Sequence, residues 1–124
     1  MPAEYLERLQ GTLEKELAAR DAYSAAAKQT GFRRYDNLSR AEQNHVDSVS
    51  NLIRYLGGEP DARQPGLDQT DTQQDLSDLQ FQEIERDFIR AYEGLIRDCP
   101  DPEILLVLER IQQANDRHLT VVGG

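Results

Sequence analysis

Apolar side chains recur at alternating steps of three and four residues along four segments of the chain, which is the spacing of one face of an α-helix. Glycine or proline follows the end of each of the first three segments, as expected where helices stop. Asp101 followed by Pro102 has the order of an N-cap and a first helical turn. The pattern predicts four helices, over about residues 2–28, 32–56, 77–98 and 102–121.

The links between these helices differ in length. Short links around Gly31 and Pro100 predict two antiparallel hairpins. Residues 58–76, which are polar and rich in Pro, Asp and Gln, separate the hairpins. A helix of about 22 residues is roughly 33 Å long, and about ten extended residues span that distance. We therefore predict an all-α four-helix bundle whose two hairpins are joined by a long crossover. The alternative is a disordered loop, which the length of the segment alone does not exclude.

Composition and charge limit the classes of function. A chain of 124 residues is predicted to form a single domain over 1–124, and its net charge of -9 argues against nucleic acid and anionic membranes as partners. No apolar segment approaches the roughly 18 residues of a membrane span. Residues 1–5 lack the basic and apolar runs of a signal peptide, and Cys99 has no disulfide partner. We therefore expect a cytoplasmic protein.

Two of the apolar stripes are interrupted by polar residues in a matching way. The stripe of the second helix is apolar except at Glu42 and His45, which lie one turn apart on the same face. The stripe of the fourth helix is interrupted by Asn115 and His118, again three residues apart. These are the two histidines of the chain, and each follows a side-chain oxygen by one turn.

The other two helices each contribute one carboxylate to their stripes. Glu16 lies on the stripe of the first helix, and Glu85 on that of the third. Tyr23 and Tyr92 follow these glutamates by seven residues, which gives the two predicted hairpins a weak internal repeat. Core tyrosines are commonly hydrogen-bonded, and we expect the same here rather than a redox role.

Three carboxylates, an amide and two imidazoles on core faces require compensation, because an unpaired buried charge destabilises the fold by several kcal/mol. Bound cations compensate directly, and oxygen ligands with imidazole suit iron, manganese or zinc. Helices with Glu-x-x-His facing helices with one Glu each form the carboxylate-bridged two-metal sites of helical bundles. The predicted metal ligands are Glu16, Glu42, His45, Glu85 and His118, with Asn115 as a weak sixth.

Three stretches resemble a known family: residues 16–23 (ELAARDAY), 40–45 (RAEQNH) and 115–119 (NDRHL). They are similar to a small bacterial and archaeal ferritin-like domain family of unassigned function, over most of the chain except the crossover. The resemblance implies a ferritin-like fold. The wider group of ferritins, rubrerythrins and bacterioferritins implies redox chemistry of iron with oxygen or peroxide, and hence a di-iron-type oxidoreductase if the chain is an enzyme.

Asn115 departs from the pattern of that group, which has glutamate at the matching position. An amide oxygen can bind a metal, but it brings no charge and bridges two metals poorly. Asp116 is rotated by about 100° around the helix and is a poor substitute. One ion, an asymmetric pair and a relic site are all compatible with the sequence.

Two hypotheses follow. The first is a metal-handling bundle that binds one or two iron ions, or manganese or zinc. The second is a non-catalytic dimerisation module in which Arg20, one turn from Glu16, neutralises a carboxylate of a vestigial site. Ferritin-like bundles commonly self-associate, so we expect a homodimer in either case.

Overall fold

The computed structural model of the chain describes residues 3–61 and 78–124. In these two ranges the protein is all α-helical, without strands, and forms a four-helix bundle. The helices are α1 (Ala3–Thr30), α2 (Arg33–Tyr55), α3 (Asp78–Arg97) and α4 (Pro102–Val121). Each begins and ends within two residues of the predicted bounds. The predicted all-α four-helix fold is confirmed.

Local signals explain where the helices stop and start. Gly31 and Gly57 have φ angles of 74° and 90°, in the left-handed region where glycine is favoured, so each lets the chain leave a helix. The Asp101 side chain accepts a hydrogen bond from the backbone N–H of Glu103, and Pro102 occupies the first turn of α4. Ser77, where the third helix is predicted to begin, lies outside the described residues.

Helices α1 and α2 pack as one hairpin and α3 and α4 as the other, with α1 beside α3 and α2 beside α4. The start of α2 meets the start of α3, because the Tyr35 hydroxyl donates to Asp78 at 2.6 Å. The end of α2 meets the start of α4, where the Tyr55 hydroxyl donates to Asp101 at 3.1 Å. Helices α2 and α3 therefore run in the same direction. The connection between them joins opposite ends of the bundle, as predicted for a crossover, and its residues 62–76 lie outside the described ranges.

The core follows the predicted stripes and is wider than they are. Apolar stripe residues such as Leu9, Leu108 and Phe88 are fully buried. Burial also extends to neighbouring positions, because two adjacent helices enclose more than one row of side chains. Buried residues outside the predicted stripes are Tyr5, Thr12, Leu17, Ala19, Ala26, Val46, Ser50, Ile53 and Ala114.

No described helix combines the length and the apolar character that a membrane span requires. The single-domain organisation, the dimer, the absence of nucleic-acid partners and the cytoplasmic location stay predictions.

Two leucines on α4 provide a test of the core. Leu108 is fully buried and Leu106 is 55% exposed. Leu108→Ala should lower the free energy of unfolding by about 2–5 kcal/mol, because it removes buried methyl groups and leaves a cavity. Leu106→Ala should change it by less than about 1 kcal/mol. Chemical denaturation measures both, and equal losses would contradict the orientation of α4.

Candidate metal centre

The six predicted ligand side chains meet in the middle of the bundle. Helices α1 and α3 each bring one glutamate, and α2 and α4 each bring two side chains spaced by one helical turn. The three glutamates and the asparagine have no exposed surface, and the histidines are 7% and 8% exposed. The buried polar set is Glu16, Glu42, His45, Glu85, Asn115 and His118.

Five of these side chains form two overlapping groups of metal-ligand type. In each group, one ligand atom per residue lies within 4.8 Å of the others. The first group is Glu16, Glu42 and His45, and the second is Glu42, Glu85 and His118. Glu42 belongs to both, so its carboxylate lies between two positions that could each bind a metal ion.

The imidazoles present the same nitrogen to this cluster. The Nδ1 atom of His45 lies 3.1 Å from Oε1 of Glu42 and 3.5 Å from Oε2 of Glu16. The Nδ1 atom of His118 lies 3.6 Å from Oε1 of Glu42 and 3.8 Å from Oε1 of Glu85. The two rings are stacked with centroids 5.6 Å apart. Both histidines therefore have a ring nitrogen in place for metal coordination.

Two tyrosines tie the hairpins together through the carboxylates. The Tyr23 hydroxyl of α1 donates to Oε2 of Glu85 on α3, and the Tyr92 hydroxyl of α3 donates to Oε2 of Glu16 on α1. Both hydrogen bonds measure 2.6 Å. Each glutamate therefore keeps one oxygen in a fixed direction and has its second oxygen available. Sequence reasoning found the repeat of Glu and Tyr but not this exchange of partners.

Asn115 is held by a neighbour that the sequence did not single out. Its Nδ2 donates to Oε1 of Gln112 at 3.1 Å, and Nε2 of Gln112 donates to the backbone carbonyl of Ile89 at 2.8 Å. Because Nδ2 is bonded to Gln112, Oδ1 is the end of the Asn115 amide that faces away from Gln112. Oδ1 has no hydrogen-bond partner among the described residues. Asp116 is exposed, so it does not take the place of a ligand.

The Arg20 guanidinium forms hydrogen bonds with residues other than Glu16, its predicted partner. It donates to Asp21 at 3.0 Å and to Oε1 of Gln43 at 2.8 Å. Within the described ranges, Oε1 of Glu16 has no hydrogen-bond partner. Arg20 therefore donates no hydrogen bond to that oxygen.

The cluster contains more unpaired polar atoms than a folded core normally retains. Both oxygens of Glu42 are buried without a hydrogen-bond partner in the described part of the chain. The same holds for one ligand-type atom on each of the other residues: Oε1 of Glu16, Oε1 of Glu85, Oδ1 of Asn115 and Nδ1 of His45 and His118. These atoms fit a bound cation, because each is a lone-pair donor when deprotonated.

Burial and neighbouring charges shift the pKa values of four ionisable groups in the cluster. Burial and the nearby Glu16 raise the pKa of Glu42 well above its usual range. Burial also raises the pKa of Glu85 to about 7, although the Tyr23 hydrogen bond opposes the shift. Burial lowers the pKa of His118 to about 4, with a contribution from His45. Burial likewise acts to lower the pKa of His45, but Glu16 and Glu42 outweigh it and raise the value to about 10.

Glu42→Gln tests the shift at Glu42 in the metal-free protein. Since the pKa of Glu42 is raised by folding, its contribution to stability falls as the pH rises above the unfolded value near 4.3. Glutamine has no proton to lose. The free energy of unfolding of Glu42→Gln, relative to the unmodified chain, should therefore increase between pH 5 and pH 8, by up to about 1.4 kcal/mol per pH unit. Denaturation at several pH values with chelator present measures the difference, and a constant difference would contradict the raised pKa.

Comparison with known proteins places the chain in one family. No curated protein matches the chain, and no solved structure matches it either. The model of an uncharacterized protein domain, DUF2202, matches residues 8–97, which include Glu16, Glu42, His45 and Glu85. The match identifies the family but does not show that the family is ferritin-like. The all-helical structure is compatible with a ferritin-like fold. Because it covers most of the sequence, the chain belongs to the DUF2202 family.

Proposed function

We propose that this chain is a ferritin-like metal-binding protein that holds two divalent ions, with iron as the favoured metal, in the core of its bundle. The observation that carries the proposal is the convergence of buried carboxylate and imidazole atoms that have no hydrogen-bond partner in the described ranges. Several such atoms in one core destabilise a fold unless a cation compensates them.

The proposed ligand sets follow the two groups of side chains. One metal position would be held by Glu16 and His45 and the other by Glu85 and His118, while Glu42, which belongs to both groups, would contribute to both. Oδ1 of Asn115 is a sixth, neutral ligand, which makes the site asymmetric in charge.

The donor types favour iron, manganese or zinc. Carboxylate oxygen and imidazole nitrogen bind these metals. Among the described residues, the two ligand groups contain no cysteine. Cys99 instead donates its Sγ–H to the backbone carbonyl of Asp101. Bound iron would supply redox chemistry toward oxygen or peroxide, which makes a di-iron-type oxidoreductase the enzymatic form of the proposal. The chain itself would orient the carboxylates through Tyr23 and Tyr92 and exclude bulk water with its buried core.

One observation favours a second function. Asn115 supplies no charge where a fourth carboxylate would complete the symmetry of the two hairpins, as expected of a site that has lost its metal. In that case the bundle would act as a structural or dimerising module.

Metal content separates the two functions. The chain purified without chelator and reloaded anaerobically with ferrous iron should contain about two irons, since it offers two ligand groups. Glu42→Ala/His45→Ala should lose the metal, because it removes the bridging carboxylate and one imidazole. Elemental analysis measures the ratio. Glu93→Ala/Glu109→Ala, which changes two exposed glutamates on α3 and α4, is the control and should retain metal.

The other results of this experiment are also informative. About one iron per chain would replace the dinuclear proposal with a single-ion site. No binding of iron, manganese or zinc, together with a melting temperature that chelator leaves unchanged, would contradict metal binding and favour the structural module, because a ligand of the native state must stabilise it.

Metal affinity should rise with pH. Without metal, the raised pKa of Glu85 leaves this group partly protonated near neutrality, and a cation must displace that proton. The pKa of Glu42 is raised in the same direction. Because the pKa of Glu85 is about 7, we expect zinc or manganese to bind at least about tenfold more tightly at pH 8 than at pH 6. Competition with a chelating dye, corrected for the dye's own protonation, measures this change. Equal affinity at both pH values would contradict proton displacement.

A further inference from the structure

A cleft between α1 and α3 collects positive charge on an acidic protein. It has a volume of about 440 Å³, and its lining includes four basic side chains and no acidic one. The net charge of the chain is -9, so a cluster of this sign is unusual for its surface. The basic residues are Arg8, Lys15, Arg90 and Arg97.

Carboxylates next to the cleft neutralise only part of this charge. Asp98 lies 3.0 Å from Arg8 and 3.4 Å from Arg97. Asp87 lies 3.1 Å from Lys15 and 3.8 Å from Arg90. Four cations thus share two carboxylates in these ion pairs. Because all of the pairs are substantially exposed, they hold the basic groups weakly, and these groups can turn toward a bound anion.

Two glycines within helices, Gly11 and Gly94, line the cleft and add no side-chain volume to its floor. A Cβ atom built on Gly11 would meet no atom within 4 Å, so packing does not require glycine there. One built on Gly94 would lie 3.0 Å from Nη2 of Arg8 and 3.6 Å from Nη2 of Arg97, both of which are ends of flexible side chains. Neither glycine has a positive φ angle. Alanine would favour the helix at both positions, so glycine is better explained by the close approach of a ligand.

The rest of the floor is small or apolar. Ala91 and Leu95 contribute apolar surface, and the hydroxyl of Thr12 already donates to the backbone carbonyl of Arg8. Specific polar contacts must therefore come from the basic rim. Guanidinium groups match the oxygens of a phosphate in pairs, which makes phosphate a better partner than a simple halide.

We propose that this cleft binds a small phosphorylated molecule. Its volume is within the range of small-molecule pockets, and the flat apolar floor suits a compact organic body attached to the phosphate. The acidic surface elsewhere would repel a nucleic acid or an anionic membrane, both of which extend beyond the cleft. The proposal does not depend on the metal site, although Lys15 is adjacent to Glu16 in sequence.

Inorganic pyrophosphate is the probe for this site, titrated into the isotope-labelled full chain with metals removed. We expect saturable changes in the amide signals of Gly11 and Gly94, and shifts confined to residues around Glu42 and His45 would overturn the proposal. Sodium chloride at matched ionic strength should not reproduce the changes, and if it does, the site is not specific for phosphate and the proposal fails.

Variants on α3 separate a specific site from general electrostatics. Arg90→Gln/Arg97→Gln should weaken pyrophosphate binding at least about tenfold, since it removes two charge-assisted contacts. The control is Arg86→Gln, whose arginine is partly exposed on α3 and pairs with Glu83 at 3.4 Å, but does not line the cleft. It should change the affinity by less than about twofold.

Gly94→Ala keeps every charge and adds one methyl group to the floor, so it should weaken binding while the helix content stays constant. No saturable binding to the unmodified chain below about 10 mM, or an equal loss in Arg86→Gln, would overturn the proposal. Tighter binding of a single-stranded oligonucleotide or of anionic vesicles through the same arginines would also overturn it, in favour of a macromolecular partner.

Discussion

The burial of three glutamates at the midpoint of the bundle is the constraint on which the rest of the structure depends. Glu16, Glu42 and Glu85 have no exposed surface, and each has at least one oxygen without a hydrogen-bond partner among the described residues. Apolar stripes above and below them provide the hydrophobic burial that offsets this destabilisation. Removing one carboxylate therefore changes the stability of the metal-free fold and the capacity for metal at the same time.

The crossed tyrosine bonds show how the two hairpins are held around this constraint. Tyr23 binds the glutamate of α3 and Tyr92 binds the glutamate of α1, so the same contact occurs twice, related by the repeat in the sequence. Each bond fixes a carboxylate and also spans the interface between hairpins. The packing of the two hairpins therefore determines where these two candidate ligands lie. The repeat of ligand-type residues is interrupted at Asn115, which occupies the position in the Asn-x-x-His pair of α4 that Glu42 occupies in the Glu-x-x-His pair of α2.

Helical periodicity was sufficient to predict the four helices and the inward direction of the candidate ligands, because both depend on spacing along one helix. The partners of the tyrosines were not predictable, since they depend on how one hairpin docks on the other. Arg20 illustrates a related limit: its spacing from Glu16 is right for an ion pair, but its guanidinium donates to the adjacent Asp21 and to Gln43 on α2. The basic cleft was missed because Arg90 and Arg97 resemble an ordinary solvated helix face until α1 is placed beside them.

Asn115 would have opposite effects on the metal-free state and on the proposed metal-bound state. A fourth buried carboxylate beside Glu16, Glu42 and Glu85 would add like-charge repulsion, so an amide at this position stabilises the metal-free fold. If two divalent ions bind as proposed, three ionised carboxylates would leave a net charge of +1, which would favour an additional small anion such as hydroxide at the site. Asparagine at this position thus lowers the destabilisation of the metal-free core and, in the proposed metal-bound state, would weaken the electrostatic attraction for the second ion. A protein that binds and releases metal would benefit from both effects, whereas one that keeps its metal permanently would not.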